Sequence, residues 1–293
     1  MRVSTSTNLH YAYYGFQGKP YAIEDSIQKL VMAGYKVLDF NFDAYCVNRQ
    51  WMNDADWMDH VLRTKEFADS LGVEWSQSHA FFYGWDGERC PSHEIGRELI
   101  RRSIIGAGMM GCKTATMHPF QIEDDAWYSH KLSFEKNLEE FRRYGDWARK
   151  AGVKIAIENM IEYPELPRRY CSSCEELIEL VDALGDDSLY GTTLDTGHAN
   201  ISGVNQAAAI KAMGKRLIAL HVNDNRGIKD DHLAPFYGTI DWPVLMGALK
   251  AVGYKGDFTF EIHKHTDCIP SGLHENLFKF TRELGEYLVG LAV

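Results

Sequence analysis

Seven helical segments of this chain each end at a glycine that lies a few residues or fewer before a segment of strand character. A glycine at the end of a helix can adopt the left-handed conformation that turns the chain back without a Cβ clash. The seven positions are Gly34, Gly72, Gly111, Gly152, Gly185, Gly214 and Gly253. This rhythm predicts a regular alternation of helices and strands.

The helical segments carry apolar residues three or four positions apart, the pattern of a helix with one buried face. Seven precede the glycines and an eighth closes the chain: Ala22–Ala33, Asp56–Leu71, His93–Met110, Ser133–Ala151, Glu175–Leu184, Asn205–Met213, Trp242–Val252 and Leu273–Leu291. Short strand-like segments alternate with them. We predict eight strands: Arg2–Thr7, Lys36–Phe42, Val73–His79, Thr114–His118, Lys154–Glu158, Tyr190–Asp195, Leu217–His221 and Asp257–Glu261.

Strict alternation of strands and helices implies a parallel sheet with right-handed crossovers. Eight such units in 293 residues favour a closed (β/α)8 TIM barrel, an α/β fold, over an open doubly wound sheet. We expect a single domain spanning residues 1–293. No GxGxxG motif follows the first predicted strand, which weakens a dinucleotide-binding interpretation.

Charge and hydropathy limit the expected partners. The formal net charge of -10 gives no attraction to a phosphate backbone, so nucleic acid is not expected as a partner. No apolar run reaches membrane-spanning length, and no apolar signal segment follows Met1. The six cysteines are scattered, and we expect Cys171 and Cys174 to be reduced structural thiols in a cytoplasmic protein.

The last four predicted strands each end in a carboxylate or imidazole after a run of apolar residues. Glu158, Asp195, His221 and Glu261 occupy these ends. A charged group at the last inward position of a buried strand is costly unless it is paired or binds a metal. Because the carboxyl ends of parallel strands meet at the mouth of a barrel, we expect the four side chains to converge there.

This residue set contains mostly oxygen donors, which suit hard divalent cations better than ions that prefer thiolates. We therefore predict one divalent metal ion at Glu158, Asp195, His221 and Glu261, with Mn2+ as the first choice and Mg2+, Co2+ or Zn2+ as alternatives.

Further polar residues lie close to the predicted strand ends. His79 and His118 end the third and fourth strands, where they either cap the strand or contact a substrate. His198 follows Asp195 by three residues and is better suited to a substrate hydrogen bond than to direct ligation. His232 lies in the loop after the seventh strand. We predict substrate contacts for all four histidines.

Aromatic residues are concentrated in three loops at the predicted mouth. They are His10, Tyr11, Tyr13, Tyr14 and Phe16 after the first strand, Phe81, Phe82, Tyr83 and Trp85 after the third, and Phe236 and Tyr237 after the seventh. Such residues either form a lid or subunit interface, or form a wall that stacks on a sugar or an aglycone. We expect a homo-oligomer.

Five short motifs occur in order along the second half of the chain: Leu194–Ala199, Ala219–His221, Asp230–Leu233, Gly238–Trp242 and Phe260–Glu261. Together they resemble the xylose-isomerase-like TIM barrel superfamily, which includes sugar phosphate isomerases and epimerases, ketose 3-epimerases, hydroxypyruvate isomerase, inosose dehydratase and the endonuclease IV family. The resemblance covers nearly the whole chain and is densest from Ile155 to Glu261. It departs from the usual pattern at Phe236 and Tyr237, where many relatives carry Gly-Glu.

The resemblance implies specific roles for residues of this sequence. It makes Glu158, Asp195, His221 and Glu261 the metal ligands, and it makes His198 and Arg226 groups that orient the substrate. In ketose epimerases the two metal-bound glutamates also transfer protons, which implies the same role for Glu158 and Glu261. Proton abstraction next to a carbonyl needs a base near the carbon and an electrophile at the oxygen, and this set could supply both.

Several functions remain compatible with these residues. The first is a metal-dependent isomerase or epimerase that acts on a sugar or polyol through an enediolate. The second is a lyase or dehydratase that eliminates a β-substituent from a keto-sugar or keto-inositol after the same proton abstraction. A third is an abasic-site endonuclease with three zinc ions, to which the net charge is poorly suited. A fourth is a binding protein without catalysis, against which the intact carboxylate set argues.

Overall fold

Eight parallel strands form one sheet in the computed structural model, which describes residues 1–10, 22–47, 50–84, 89–122, 128–163, 165–166, 168–267 and 269–292. The strands are β1 (Val3–Ser6), β2 (Val37–Asn41), β3 (Glu74–His79), β4 (Thr114–Met117), β5 (Lys154–Glu158), β6 (Tyr190–Asp195), β7 (Leu217–His221) and β8 (Phe258–Phe260). Every predicted strand is present, with ends that differ by no more than one residue.

The sheet follows the order β7-β6-β5-β4-β3-β2-β1-β8, so neighbours in sequence are neighbours in space. Just beyond the ends of β7 and β8, the Val222 amide donates to the Thr259 carbonyl at 2.8 Å, and the Glu261 amide donates to the Val222 carbonyl at 3.0 Å. These two hydrogen bonds join the edge strands. The predicted single-domain (β/α)8 barrel is therefore confirmed.

Helices surround the strands. They are α1 (Ile23–Met32), α2 (Asp43–Cys46), α3 (Trp57–Ser70), α4 (His93–Met110), α5 (His130–Ala151), α6 (Cys174–Leu184), α7 (Thr196–Ile201), α8 (Gln206–Met213), α9 (Trp242–Val252) and α10 (His274–Leu291). The seven glycines singled out in the sequence all have positive φ, between 52° and 97°. No helix in the described ranges is long and apolar enough to cross a membrane.

The helices differ from the prediction by more than one residue at the start of α5 and in the two short helices α2 and α7, which were not predicted. Helix α5 begins at His130 rather than Ser133, because the Ser129 side chain accepts the Leu132 amide and caps the helix three residues earlier. Helix α7 was not predicted. It begins directly after β6, where the Asp195 carboxylate accepts the His198 amide at 2.7 Å, so the strand end is also a helix cap.

Polar side chains occupy much of the barrel interior, where side chains of non-adjacent strands meet. Thr116 on β4 and Thr193 on β6 approach to 3.0 Å through their hydroxyls, and Ser4 on β1 and Ser76 on β3 approach to 3.3 Å. The apolar core lies mainly between the strands and the helices, where rings such as Phe258 pack against neighbours on both sides. The barrel interior is therefore polar, in keeping with charged groups at its mouth.

Candidate metal centre

The four residues predicted as ligands meet at the carboxyl end of the barrel. Glu158, Asp195 and His221 end β5, β6 and β7, and Glu261 follows β8 by one residue. One ligand atom from each lies within 4.8 Å of the others, and all four side chains are buried. His221 Nδ1 lies 3.0 Å from Glu158 Oε1 and 3.5 Å from Glu261 Oε2. The geometry can hold a metal ion.

Neighbouring backbone and amide groups fix the orientation of Asp195. Its Oδ1 accepts the His198 amide at 2.7 Å, and its Oδ2 accepts from Asn223 Nδ2 at 2.9 Å. Its own amide donates to Asn159 Oδ1 at 2.7 Å. Because both oxygens are held by neighbours, the carboxylate has little freedom to leave the cluster.

Neighbouring charges shift the pKa values of His221 and of the two glutamates in the cluster. Burial lowers the pKa of His221, but the carboxylates of Glu158 and Glu261 outweigh it and hold that pKa well above its usual value. Burial raises the pKa of Glu158, but His221 and His118 outweigh it and hold it well below the usual range. The pKa of Glu261 falls to about 2 because His221 and His232 outweigh its burial. Both glutamates are therefore ionised at neutral pH.

The pKa of Asp195 is shifted in the opposite direction to that of the two glutamates. Burial raises its pKa to about 7, and repulsion from Glu158 and Glu261 adds to the effect while His198 opposes it. Three carboxylates thus share a small space with the His221 imidazole as the only basic member of the set. A divalent cation among these oxygens would relieve the repulsion, so the donor chemistry fits the predicted ion.

Three more predicted histidines lie beside Glu158. Its Oε2 is 3.2 Å from His118 Nε2 and 3.6 Å from His79 Nε2, and the two imidazole nitrogens are 3.2 Å apart. His79 Nδ1 donates to the Ala80 carbonyl at 2.8 Å, which directs its other nitrogen toward the site. His198 Nδ1 donates to the Asn159 carbonyl at 2.8 Å and lies 3.6 Å from Glu158 Oε1. The structure brings all three to the centre.

His232 reaches the centre from the loop after β7. Its Nδ1 donates to the Glu261 carbonyl at 2.7 Å, and its Nε2 lies 2.8 Å from Asp230 Oδ2. Both partners are acceptors, so both ring nitrogens carry protons and the side chain is an imidazolium. Burial lowers the pKa of His232, but Asp230 outweighs burial and raises it to about 9.

A pH-dependent stability follows from this imidazolium. A folded-state pKa above the unfolded value near 6.5 stabilises the fold below pH 6.5, and this contribution is lost as pH rises through 9. We expect His232→Gln to lower the unfolding free energy by on the order of 3 kcal/mol at pH 6 and by much less at pH 10. Urea unfolding at the two pH values measures the difference.

The exposed His130, which pairs with Glu179, provides the matched control for this measurement. His130→Gln should change the unfolding free energy by less than about 1 kcal/mol, the usual range for a surface pair. A destabilisation by His232→Gln that is equal at pH 6 and pH 10 would contradict an imidazolium at this position.

The loop after β7 that carries Asp230 and His232 is tied down by Asp224. This buried carboxylate accepts the Trp242 indole NH at 2.9 Å, the Phe236 amide at 3.1 Å and the Ile240 amide at 3.3 Å. Phe236 and Tyr237 themselves are exposed, at 51% and 49%. The aromatic residues of this loop therefore lie on the surface, while the buried Asp224 carboxylate fixes the backbone beneath them.

A cavity of about 420 Å³ opens above the cluster. Its described lining is Asn8, Asn41, Asp43, Ala44, His79, Phe82, Arg89, His118, Glu158, His198, Asp230, His232, Glu261, His263 and Lys264. Arg226, predicted to orient the substrate, is exposed on the loop after β7 and is absent from this described lining. Its role stays a prediction.

Part of the cavity wall was not singled out in the sequence. The Arg89 guanidinium lies 3.8 Å from the centre of the Phe82 ring, and its Nη2 is 2.8 Å from Asp43 Oδ2. Phe82 in turn stacks on His118, with ring centroids 4.2 Å apart. The aromatic run after β3 pointed to Phe82, whereas nothing in the sequence linked Arg89 to Asp43. Tyr11, Tyr13, Tyr14, Phe16 and Trp85 lie outside the described residues.

Fold and site together define a (β/α)8 barrel with a carboxylate-rich candidate metal centre at the carboxyl ends of its strands. Residues 27–284 match the family described as xylose isomerase-like TIM barrel, and the chain belongs to that family. The resemblance inferred from the sequence motifs is confirmed at this level.

Several curated relatives in sequence are sugar-converting enzymes. A D-psicose 3-epimerase of Enterocloster bolteae is 34% identical over 164 residues, 56% of this chain and 49% of the relative. An inosose isomerase of Bacillus subtilis is 25% identical over 136 residues, 44% of this chain and 47% of the relative. The chain thus spans about half the length of these two relatives. An uncharacterized protein of Methanocaldococcus jannaschii is 30% identical over 255 residues, 83% of each chain.

Solved structures resemble the whole chain. A D-psicose 3-epimerase determined with D-fructose gives a TM-score of 0.75 at 14% identity and covers 99% of this chain and 100% of that one. The IOLI protein, solved with a bound zinc atom, gives a TM-score of 0.71 at 18% identity and covers 99% and 98%. At these identities the likeness shows the fold alone.

Proposed function

We propose that this protein is a metal-dependent sugar isomerase or epimerase that works by proton abstraction next to a carbonyl. The observation that carries the proposal is the placement of Glu158 and Glu261. Both carboxylates approach the same atom, His221 Nδ1, at 3.0 and 3.5 Å, and both line the same cavity. A substrate held there would have two ionised carboxylates within reach.

The two glutamates have the properties of an acid/base pair. Their pKa values lie below the usual range, so both are unprotonated at neutral pH. One glutamate takes the proton from the carbon next to the carbonyl, and the other takes up a proton from solvent and gives it to the opposite face of the planar enediolate. A divalent ion held by Glu158, Asp195, His221 and Glu261 would polarise the carbonyl and stabilise the negative charge on its oxygen.

Neighbouring side chains position the substrate in this proposal. His79, His118 and His198 provide imidazole groups that can bond to hydroxyls next to the reacting carbon. The Phe82 ring offers an apolar face of the kind on which a sugar ring stacks. A cavity of about 420 Å³ falls within the usual size of small-molecule sites.

The proposed activity is tested by incubating the purified protein with Mn2+ and a panel of ketohexoses, including D-psicose, and inososes. We expect at least one compound to be converted to a product of unchanged mass, and conversion to stop when a chelator is added. Loss of water or of an aglycone would instead identify the lyase or dehydratase, which begins with the same proton abstraction. If the protein binds the ion and converts no member of the panel, the proposed activity is contradicted for these substrate classes.

The proposal also predicts one divalent ion per chain. Elemental analysis of protein purified without chelator is expected to find one equivalent, with Mn2+ preferred because three of the four ligands are carboxylates. Zn2+ in place of Mn2+ would change the ion and keep the site. Three zinc ions per chain would overturn the single-ion site and favour the endonuclease, whose set would add His79, His118, His198, Asp230 and His232.

A further inference from the structure

Asp39 is a buried carboxylate that lies beneath the candidate centre and has no part in the proposed ligand set. It sits in the middle of β2 with 1% of its surface exposed. Its Oδ2 faces across the barrel to β7, where it lies 3.8 Å from His221 Nε2. Its Oδ1 has no hydrogen-bond partner among the described residues. A buried carboxylate with an unpaired oxygen lowers the stability of the fold, so its presence here calls for an explanation.

The two nitrogens of His221 face different surroundings. Nδ1 points to the oxygens of Glu158 and Glu261, on the side of the proposed ion. Nε2 points the other way and has no hydrogen-bond partner in the part of the chain that the structure describes. Asp39 Oδ2 is the carboxylate oxygen that approaches this nitrogen, at 3.8 Å. The ring is also flanked by the parallel ring of His79, with centroids 5.4 Å apart and 12° between the planes.

Gln77 holds the carboxylate and the strand of the histidine together. Its Nε2 lies 3.1 Å from the Leu220 carbonyl, directly before His221, and 3.5 Å from Asp39 Oδ2. The pairing of β2 with β3 shifts register between Leu38 and Phe40, opposite Gln77. One amide therefore fixes the position of both Asp39 and the backbone of β7.

We infer that Asp39 is a positioning residue: its negative charge, 3.8 Å from His221 Nε2, keeps the proton of the imidazole on that nitrogen and so presents the Nδ1 lone pair to the metal ion. A histidine ligand usually donates its second ring NH to a carboxylate or carbonyl, which fixes both tautomer and ring orientation. The inference rests on the proposed metal site. It adds a residue that acts through a ligand and contacts neither ion nor substrate.

The affinity for Zn2+, measured by competition with a chromophoric chelator, tests this role. We expect Asp39→Asn to weaken Zn2+ binding by about 10- to 100-fold, because the amide cannot hold the imidazole as a carboxylate does. Asp257→Asn is the matched control: it removes the same charge at the opposite end of the barrel, where Asp257 pairs with Arg2. Binding by Asp257→Asn should stay within about 3-fold of the unchanged protein.

A measurement on the unchanged protein does not depend on whether the variant folds. In Zn2+-loaded protein labelled with ¹⁵N-histidine, we expect one imidazole with a slowly exchanging Nε2 proton and a metal-shifted Nδ1. In Asp39→Asn that proton signal should shift or exchange faster. A His221 bound through Nε2, or equal Zn2+ affinity in the Asp39→Asn variant, would overturn the positioning role. Failure of the unchanged protein to bind Zn2+ or Mn2+ would instead overturn the proposed metal site.

Discussion

Replacing Glu158 or Glu261 by glutamine is expected to lower the rate of substrate conversion by about 10²-fold or more, the usual scale for a lost general acid or base. Glutamine keeps the shape and one oxygen donor but cannot accept a proton. In each variant, the affinity for substrate should therefore fall less than kcat. Steady-state kinetics with saturating Mn2+, after the ion content of each variant has been measured, separates a loss in kcat from a loss of the ion.

Isotope exchange shows whether these glutamates move the proton. In deuterated water the product should carry solvent deuterium at the reacting carbon, and the Gln variants should lose this exchange together with turnover. Glu94→Gln, at an exposed position in the first turn of α4, is the matched control and should leave both rate and exchange unchanged. A stereochemical change without deuterium, even after long incubation, would point to hydride transfer and contradict the acid/base pair.

Asp195→Asn is expected to abolish metal binding and activity while leaving the fold intact. The side-chain oxygen of asparagine can still accept the His198 amide that starts α7, so the helix cap survives. The negative charge is lost from the centre of the ligand set, where Asp195 lies with both glutamates. We expect the affinity for Mn2+ to fall by more than the roughly 10–100-fold typical of losing a residue that only supports a ligand.

Thermal unfolding without metal provides the control for Asp195→Asn. Because burial and the neighbouring carboxylates raise the pKa of Asp195 to about 7, removing its charge relieves repulsion in the metal-free protein. The metal-free variant should be at least as stable as the parent chain, and only the parent should gain stability when Mn2+ is added. Full activity and full metal content in Asp195→Asn would show that the site is wrongly assigned.

The fold and the convergence of the four candidate ligands were predictable because they depend on local sequence order. A polar residue that follows an apolar strand must lie at the mouth of a parallel barrel, so Glu158, Asp195 and His221 fall together once the strands are assigned. Helix α7 was missed because it is only six residues long and because its cap, Asp195, was assigned solely as a ligand. The Asp195 side chain caps the helix and, in the proposed site, would also bind the ion.

Contacts between distant strands and loops were not predictable from sequence order. Asp39 lies in the middle of β2, where alternation alone says only that it faces the interior. Its approach to His221 depends on how the barrel closes and on the register shift opposite Gln77. Arg89 and Asp43 likewise meet only because the segment after β3 and the start of α2 come together at the same edge of the cavity.

The hydrogen bonds to Asp224 separate the loop after β7 into an inner part, with Asp230 and His232, and an outer part, with Phe236 and Tyr237. The side chains of the two parts can change independently. Because the carboxylate holds the backbone at positions 236 and 240, the inner residues Asp230 and His232 do not rely on what side chain stands at position 236. New side chains at Tyr237, and side chains that are not β-branched at Phe236, whose φ is 72°, can therefore alter what the outer rim contacts at little cost to folding. For protein engineers, this loop is a place to diversify recognition while the chemistry beneath it is left alone.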